Sequence, residues 1–170
     1  MLTIRRHILL LLTLVMVGCG WHLKGQVELP IGLRILNIEA SAVGFDTQKL
    51  LKQAFLANGV TLALDAPYTL KILQDTAKKR TLAVKNNGKA SEYELIQILS
   101  FMVLDDQDVA LTSTIDVISY RTQLYDNEAV IGKAQEEKNL RRQMKRDNAS
   151  KLLQRLQKVT LERTESSRAP

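Results

Sequence analysis

Residues 68–105, YTLKILQDTAKKRTLAVKNNGKASEYELIQILSFMVLD, decide the fold. Two extended runs flank Asn87-Gly88, the strongest short-range hairpin signal, because both central residues of a type I′ turn need positive φ. Tyr68, Leu70 and Ile72 alternate at the start, Lys78, Lys79 and Arg80 make the middle basic, and Leu82 and Val84 resume the pattern. The returning run, Ala90 to Asp105, is the most hydrophobic stretch after residue 18. One face carries Tyr93, Leu95, Leu99, Phe101 and Val103, and the other Ile96, Ile98, Met102 and Leu104. A half-exposed antiparallel strand would show polar residues at alternate positions, so this strand is expected to be covered on both sides.

Upstream, Leu33 to Ala42 alternates as a strand, with Leu33 and Ile35 facing one way and Leu36 and Ile38 the other. A helix from Thr47 to about Asn58 follows. Asp46 is its expected N-cap, Phe45 is placed to staple onto Leu50, and Gly59 can turn left-handed at its end. Residues Val60 to Ala66 lead, past Pro67, into the hairpin. Downstream, the polar turn Asp105-Asp106-Gln107-Asp108 opens a strand from Val109 to Tyr125. Asp126 and Asn127 then cap a helix running from Glu128 to about Val159. Its apolar stripe, including Val130, Ala134, Leu140, Met144, Leu152 and Leu156, is weak in the middle.

The order β-α-β-β-β-α predicts an α/β (α+β) two-layer sandwich, a four-stranded mixed sheet with two helices on one face. Something outside the chain would then cover the other face of the apolar strand. The expected organisation is a cleaved signal peptide at 1–18, a lipidated tether at 19–32, one sandwich domain at 33–159 and a disordered tail at 160–170.

The signal reading rests on Arg5 and Arg6, the apolar run Ile8 to Val17, and the small residues Gly18 and Cys19. A run of ten residues falls well short of the roughly 20 that a bilayer-crossing helix needs. Met16-Val17-Gly18-Cys19 looks like a bacterial lipobox, with Met16 in place of the usual leucine. Cys19 is the only cysteine, so no disulfide can form within one chain, and its placement fits acylation, with N-acyl and S-diacylglycerol groups. One acyl chain binds membranes only marginally, so stable anchoring takes two or more. Gly20 follows, not the aspartate that commonly retains lipoproteins at the inner membrane, which points to the periplasmic side of the outer membrane.

The formal charge of +6 falls to +4 without Arg5 and Arg6, a balance that favours anionic partners. Export argues against nucleic acid. Catalysis is poorly supported, since residues 19–170 hold one histidine, His22, beside the expected lipid. The chain is therefore read as no enzyme, with no metal and no cofactor beyond the covalent lipid. The acidic turn lacks the glycine and distal glutamate of an EF-hand loop. Lys78, Lys79, Arg80, Lys85 and Lys89 concentrate charge along the hairpin, where they could pair with phosphates or deter edge-to-edge aggregation. The last helix carries Lys133, Lys138, Arg141, Arg142, Lys145 and Arg146 among acidic residues, the pattern of a solvated face laced by i,i+4 pairs.

Together these features resemble the LptE family of LPS-assembly lipoproteins (RlpB) of the Gram-negative outer membrane. The residues that carry the resemblance are the lipobox with Cys19-Gly20-Trp21-His22-Leu23, the tip Asn87-Gly88 with Ser91-Glu92-Tyr93, and the junction Tyr125-Asp126-Asn127. The resemblance implies a plug in the lumen of the large LptD β-barrel that assists its assembly and binds lipopolysaccharide. It further implies glycolipid-binding basic residues at the hairpin tip and near the start of the last helix. The tip position falls on Asn86, which is uncharged, with Lys85 and Lys89 flanking it; the second falls on Lys133. A lipoprotein subunit or pilotin of another envelope transport machine is the alternative, to be separated by the barrel with which the chain co-purifies.

Overall fold

A computed structural model describes residues 27, 29–125 and 129–159. The elements are β1 (Ile35–Glu39), α1 (Phe45–Ala57), β2 (Thr61–Leu62), β3 (Tyr68–Val84), β4 (Ala90–Asp105), β5 (Ile115–Leu124) and α2 (Val130–Leu156), with a short 3-10 turn at Ile31–Leu33. One mixed sheet runs in the order β2-β1-β3-β4-β5. β1 is parallel to both neighbours, while β3, β4 and β5 form an antiparallel meander. The expected α+β sandwich is thus present, with five strands in place of four. The additional strand is the two-residue β2, whose Thr61 and Leu62 pair with Ile35 and Leu36. So short a strand leaves no periodicity to read.

The core lies between the sheet and the two helices. Leu51 and Phe55 of α1 and Leu152, Leu153 and Leu156 of α2 meet Leu36, Leu70, Ile72, Leu99, Phe101 and Val103 there. In α1 the buried positions are Thr47, Leu51 and Phe55, a four-residue repeat that keeps one face inward. The helix starts earlier than its sequence suggests. Gly44 is the N-cap, Asp46 lies in the first turn, and no side chain caps the end. Phe45 is 75 % exposed, so the expected staple onto Leu50 is not made. Gly59 does adopt φ +75° just past the helix.

α2 buries side chains only from Met144 onward. Val130 and Ala134, expected in an apolar stripe, are exposed, because the first half of the helix lies over the polar part of the hairpin. Asp126 and Asn127, its expected caps, lie outside the described residues, as do Cys19 and the segments 1–26 and 160–170. The last strand begins at Ile115 rather than Val109; residues 109–114 form a loop touching β4 through the Leu104–Ala110 bridge. Among the described residues no helix is long and apolar enough to cross a membrane.

A bulge between Ile72 and Gln74 reverses the facing of β3. Ile72 pairs with Phe101, but Gln74 pairs with Ser100 and Asp75 with Leu99. Before the bulge the even-numbered residues face the helices; beyond it Asp75, Ala77, Lys79 and Thr81 do. The inward Asp75 is accommodated by a polar layer. Its carboxylate accepts from the Thr47 hydroxyl at 2.6 Å, from the Gln97 amide and from Lys145 Nζ at 2.9 Å. Next to it, Asn148 donates to the Gln97 carbonyl at 3.0 Å and accepts from the Ser119 hydroxyl at 2.7 Å.

Candidate functional site: the hairpin arm and the open sheet face

The hairpin tip departs from the expected type I′ turn. Gly88 N–H donates to the Lys85 carbonyl at 2.9 Å and Lys85 N–H to the Lys89 carbonyl at 2.8 Å. Gly88 has φ +75°, whereas Asn87 is not among the positive-φ residues. Asn86 and Asn87 are therefore the centre of a type I turn, with Gly88 in the left-handed bulge position of a three-residue loop. Lys85, Asn86 and Lys89 are exposed. The Lys85 and Lys89 ammonium groups have no ion pair among the described residues, and their strands hold them side by side.

Lys133 lies toward the same end of the sheet. Its carbonyl accepts from the Gln123 amide at 2.7 Å, and Gln123 pairs with Tyr93, a few rungs short of the tip. Its ammonium is engaged by Glu136 at 2.8 Å. Any ligand phosphate at Lys133 would compete with that carboxylate.

The run Lys78-Lys79-Arg80 does not act as one patch, because successive strand residues point to opposite faces. Lys79 faces the helices, donates to Glu137 at 2.7 Å and stands 4.2 Å from the centre of the Tyr93 ring. Tyr93 in turn meets Tyr125 edge-on at 5.4 Å. Arg80 faces the other way and pairs with Glu94 at 2.6 Å. Lys78 is exposed on that same open face. Glu137 also accepts from Arg141 at 2.7 Å and joins the arm to α2. Burial pushes its carboxyl up, but hydrogen bonds from Lys79 and Arg141 and their charges outweigh this and hold it below the ordinary range. The Glu137–Arg141 pair is readable from i,i+4 spacing; the Lys79 contact spans 58 positions and leaves no local signal.

Its own chain buries β4 from Leu95 onward on one side, and on the other buries only Ser100 and Leu104. Leu95, Leu99, Phe101 and Val103 are buried beneath the helices. On the opposite face Ile96, Ile98 and Met102 are half-buried, flanked by the half-buried Ile118 and the exposed Tyr120. The rim adds Leu124 at 66 % and Ile35 at 49 % exposure. Ile98 pairs with Ile118 and Ile96 with Tyr120, so these side chains form one contiguous apolar cluster on the open face, beside the Arg80–Glu94 pair.

The acidic turn serves its own backbone: Asp105 Oδ1 accepts from Gln107 and Val109 N–H at 2.9 Å each. Among the described residues no three His, Cys, Asp or Glu side chains gather to hold a metal ion.

The profile of the lipopolysaccharide-assembly family LptE matches residues 33–156, the whole sheet and both helices. The chain belongs to the LptE family. Curated LPS-assembly lipoproteins LptE resemble it along most of its length. That of Photorhabdus laumondii is 28 % identical over 97 % of this chain and 92 % of its own, and that of Pectobacterium atrosepticum 26 % identical over 86 % and 80 %. A crystal structure of a minor lipoprotein from Acinetobacter baumannii superposes with TM-score 0.65 and 27 % identity, covering 75 % of this chain and 93 % of that one. The solution structure of lipoprotein B from Nitrosomonas europaea, at TM-score 0.66 and 22 % identity over 81 % and 90 %, shares the fold. As an LptE-family lipoprotein, the chain is a component of lipopolysaccharide assembly in the Gram-negative envelope.

Proposed function

We propose that the chain is a plug and assembly factor for an LptD-like outer-membrane β-barrel and binds lipopolysaccharide at the hairpin end of its sheet. Acylated Cys19 holds it at the periplasmic side of the outer membrane. The open sheet face is the surface that meets the barrel wall, and Lys85, Lys89 and Lys133 contact glycolipid phosphates, with Asn86 between the two tip lysines. The function is binding, without covalent chemistry. The observation that carries this reading is the pairing of two unengaged lysines at the exposed tip with an apolar sheet face that the chain leaves open.

Each ammonium–phosphate contact is a charge-assisted hydrogen bond of about 1.5–3 kcal/mol, so losing one at an exposed tip weakens binding about tenfold. Tagged protein extracted from membranes is expected to bring down a stoichiometric large β-barrel and to yield a tri-acylated Cys19 peptide. Lys85→Glu and Lys133→Glu are expected to lower lipopolysaccharide binding while leaving the barrel bound. An acylated protein carrying no barrel, or another channel, overturns the plug role; charge-reversed variants that bind lipopolysaccharide normally overturn the ligand assignment.

A further inference from the structure

A second concentration of positive charge lies between the two helices, away from the tip. A groove of about 930 Å³ separates α1 from α2 and is lined by Lys49, Lys138, Arg141, Arg142, Lys145 and Arg146. Only Asp46 and Glu137 oppose them there. Glu137 is already shared by Lys79 and Arg141. The other described acids of α2 are engaged elsewhere, Glu136 by Lys133 and Asp147 by Arg121. Lys145 is held by Asp75. That leaves Lys49, Lys138, Arg142 and Arg146 with no ion pair among the described residues.

Three of these stand in one row. Lys138, Arg142 and Arg146 follow each other at i, i+4 and i+8, so their charges repel along a single helix face, a spacing that destabilises an isolated helix. Lys49 faces the row from α1. A solvated helix would relieve such a row with interspersed carboxylates, but those of α2 are engaged by Lys133 on the helix itself, by Lys79 and Arg141, and by Arg121 of the sheet. Leu50 and Ala134 add apolar wall to the groove, so a ligand would meet both charge and hydrocarbon. Guanidinium groups present planar pairs of donors that match phosphate oxygens, while the two ammonium groups add point charges.

We infer that this interhelical groove is an anion site for a ligand bearing two or more phosphate groups, separate from the hairpin tip and independent of what the tip binds. The chemistry suits either the phosphorylated head group of a lipid or a soluble oligophosphate.

The test uses the chain from residue 19 onward carrying Cys19→Ser, so that no acyl group holds it on vesicles. Pyrophosphate is titrated by calorimetry at low and at 0.3 M salt, and co-sedimentation is measured with phosphatidylcholine vesicles containing cardiolipin, whose head group bears two phosphates. The variants are Lys138→Gln/Arg142→Gln/Arg146→Gln and, as a control, Lys85→Gln/Lys89→Gln. The expected result is saturable, salt-sensitive binding of at least one of the two probes, weakened at least tenfold in the groove variant and unchanged in the tip variant. Binding of pyrophosphate alone identifies a soluble ligand, and vesicle binding displaced by pyrophosphate identifies a lipid head group. Circular dichroism and the urea midpoint establish that the groove variant is folded; because its three side chains are exposed, unaltered folding is expected. Failure of both probes to bind, or a groove variant within twofold of the parent, overturns the site.

Discussion

Replacing Lys145 by methionine tests the polar layer beneath the helices. The Asp75 side chain is 6 % exposed and relies on Lys145 Nζ at 2.9 Å for its only counter-charge within the described residues. Lys145 also donates to the Thr47 hydroxyl at 2.8 Å, which orients that hydroxyl to donate to Asp75. Removing one partner of a fully buried pair costs about 3–5 kcal/mol. Here Lys145 is 30 % exposed, and Asp75 keeps its donors Thr47 and Gln97. The expected loss is therefore smaller, about 2 kcal/mol, close to a thirtyfold fall in the folding constant. In thermal unfolding it corresponds to a drop of about 4–8 °C. Urea unfolding of the non-acylated Cys19→Ser chain at neutral pH measures it, with an unchanged slope excluding an effect on the unfolded state. In the double variant Asp75→Asn/Lys145→Met neither charge remains, and part of the loss returns. A Lys145→Met change below about 0.5 kcal/mol, or additive single and double losses, would refute the reasoning.

Three further outcomes follow from the same geometry. Glu137 has a folded pKa below its ordinary 4.5, so its ion pairs stabilise the fold above that pH and are lost as pH falls through the folded value; Glu137→Gln is expected to flatten the acid limb of a stability–pH curve. Gly88→Ala places a side chain at φ +75° at a strain of about 1–2 kcal/mol, and faster amide exchange at Lys85 and Gly88, with little change in the global urea midpoint, is the expected signature. Phe55→Ala empties the completely buried centre of α1, and a loss of about 3–5 kcal/mol should appear in equilibrium unfolding.

The sandwich was legible because its determinants are local. Asn87-Gly88 marks a hairpin whatever its turn type, and Leu51 and Phe55 repeat at helical spacing. β2 escaped because two residues carry no period. The bulge after Ile72 escaped for a different reason: one extra backbone residue changes which side chains face inward without changing the sequence pattern on either side. Strand alternation alone divides the basic run between two surfaces; the bulge decides that Lys79 faces the helices while Lys78 and Arg80 face outward. That Lys85 and Lys89 stand exposed at a hairpin tip could be read from their place around Asn87-Gly88. The carboxylates engaging Lys133 and Lys79 depend on where α2 lies, and the tertiary fold decides that.

The length of the hairpin also sets a lever. β1 begins where β3 begins, with Asn37 beside Thr69, whereas the tip lies past Val84, fifteen positions further along β3. At about 3.3 Å per residue that separation approaches 50 Å. The chain joins the sheet at Ile35, sixteen positions after Cys19, so its entry into the sheet and the tip lie at opposite ends of the hairpin arm. With the proposed acyl anchor on Cys19, a small pivot at that end would sweep Lys85 and Lys89 through a wide arc. Because Val27 N–H donates to Asn58 Oδ1 and Leu29 and Leu33 are buried in the core, an insertion ahead of residue 27 would redirect the tip while leaving these contacts in place.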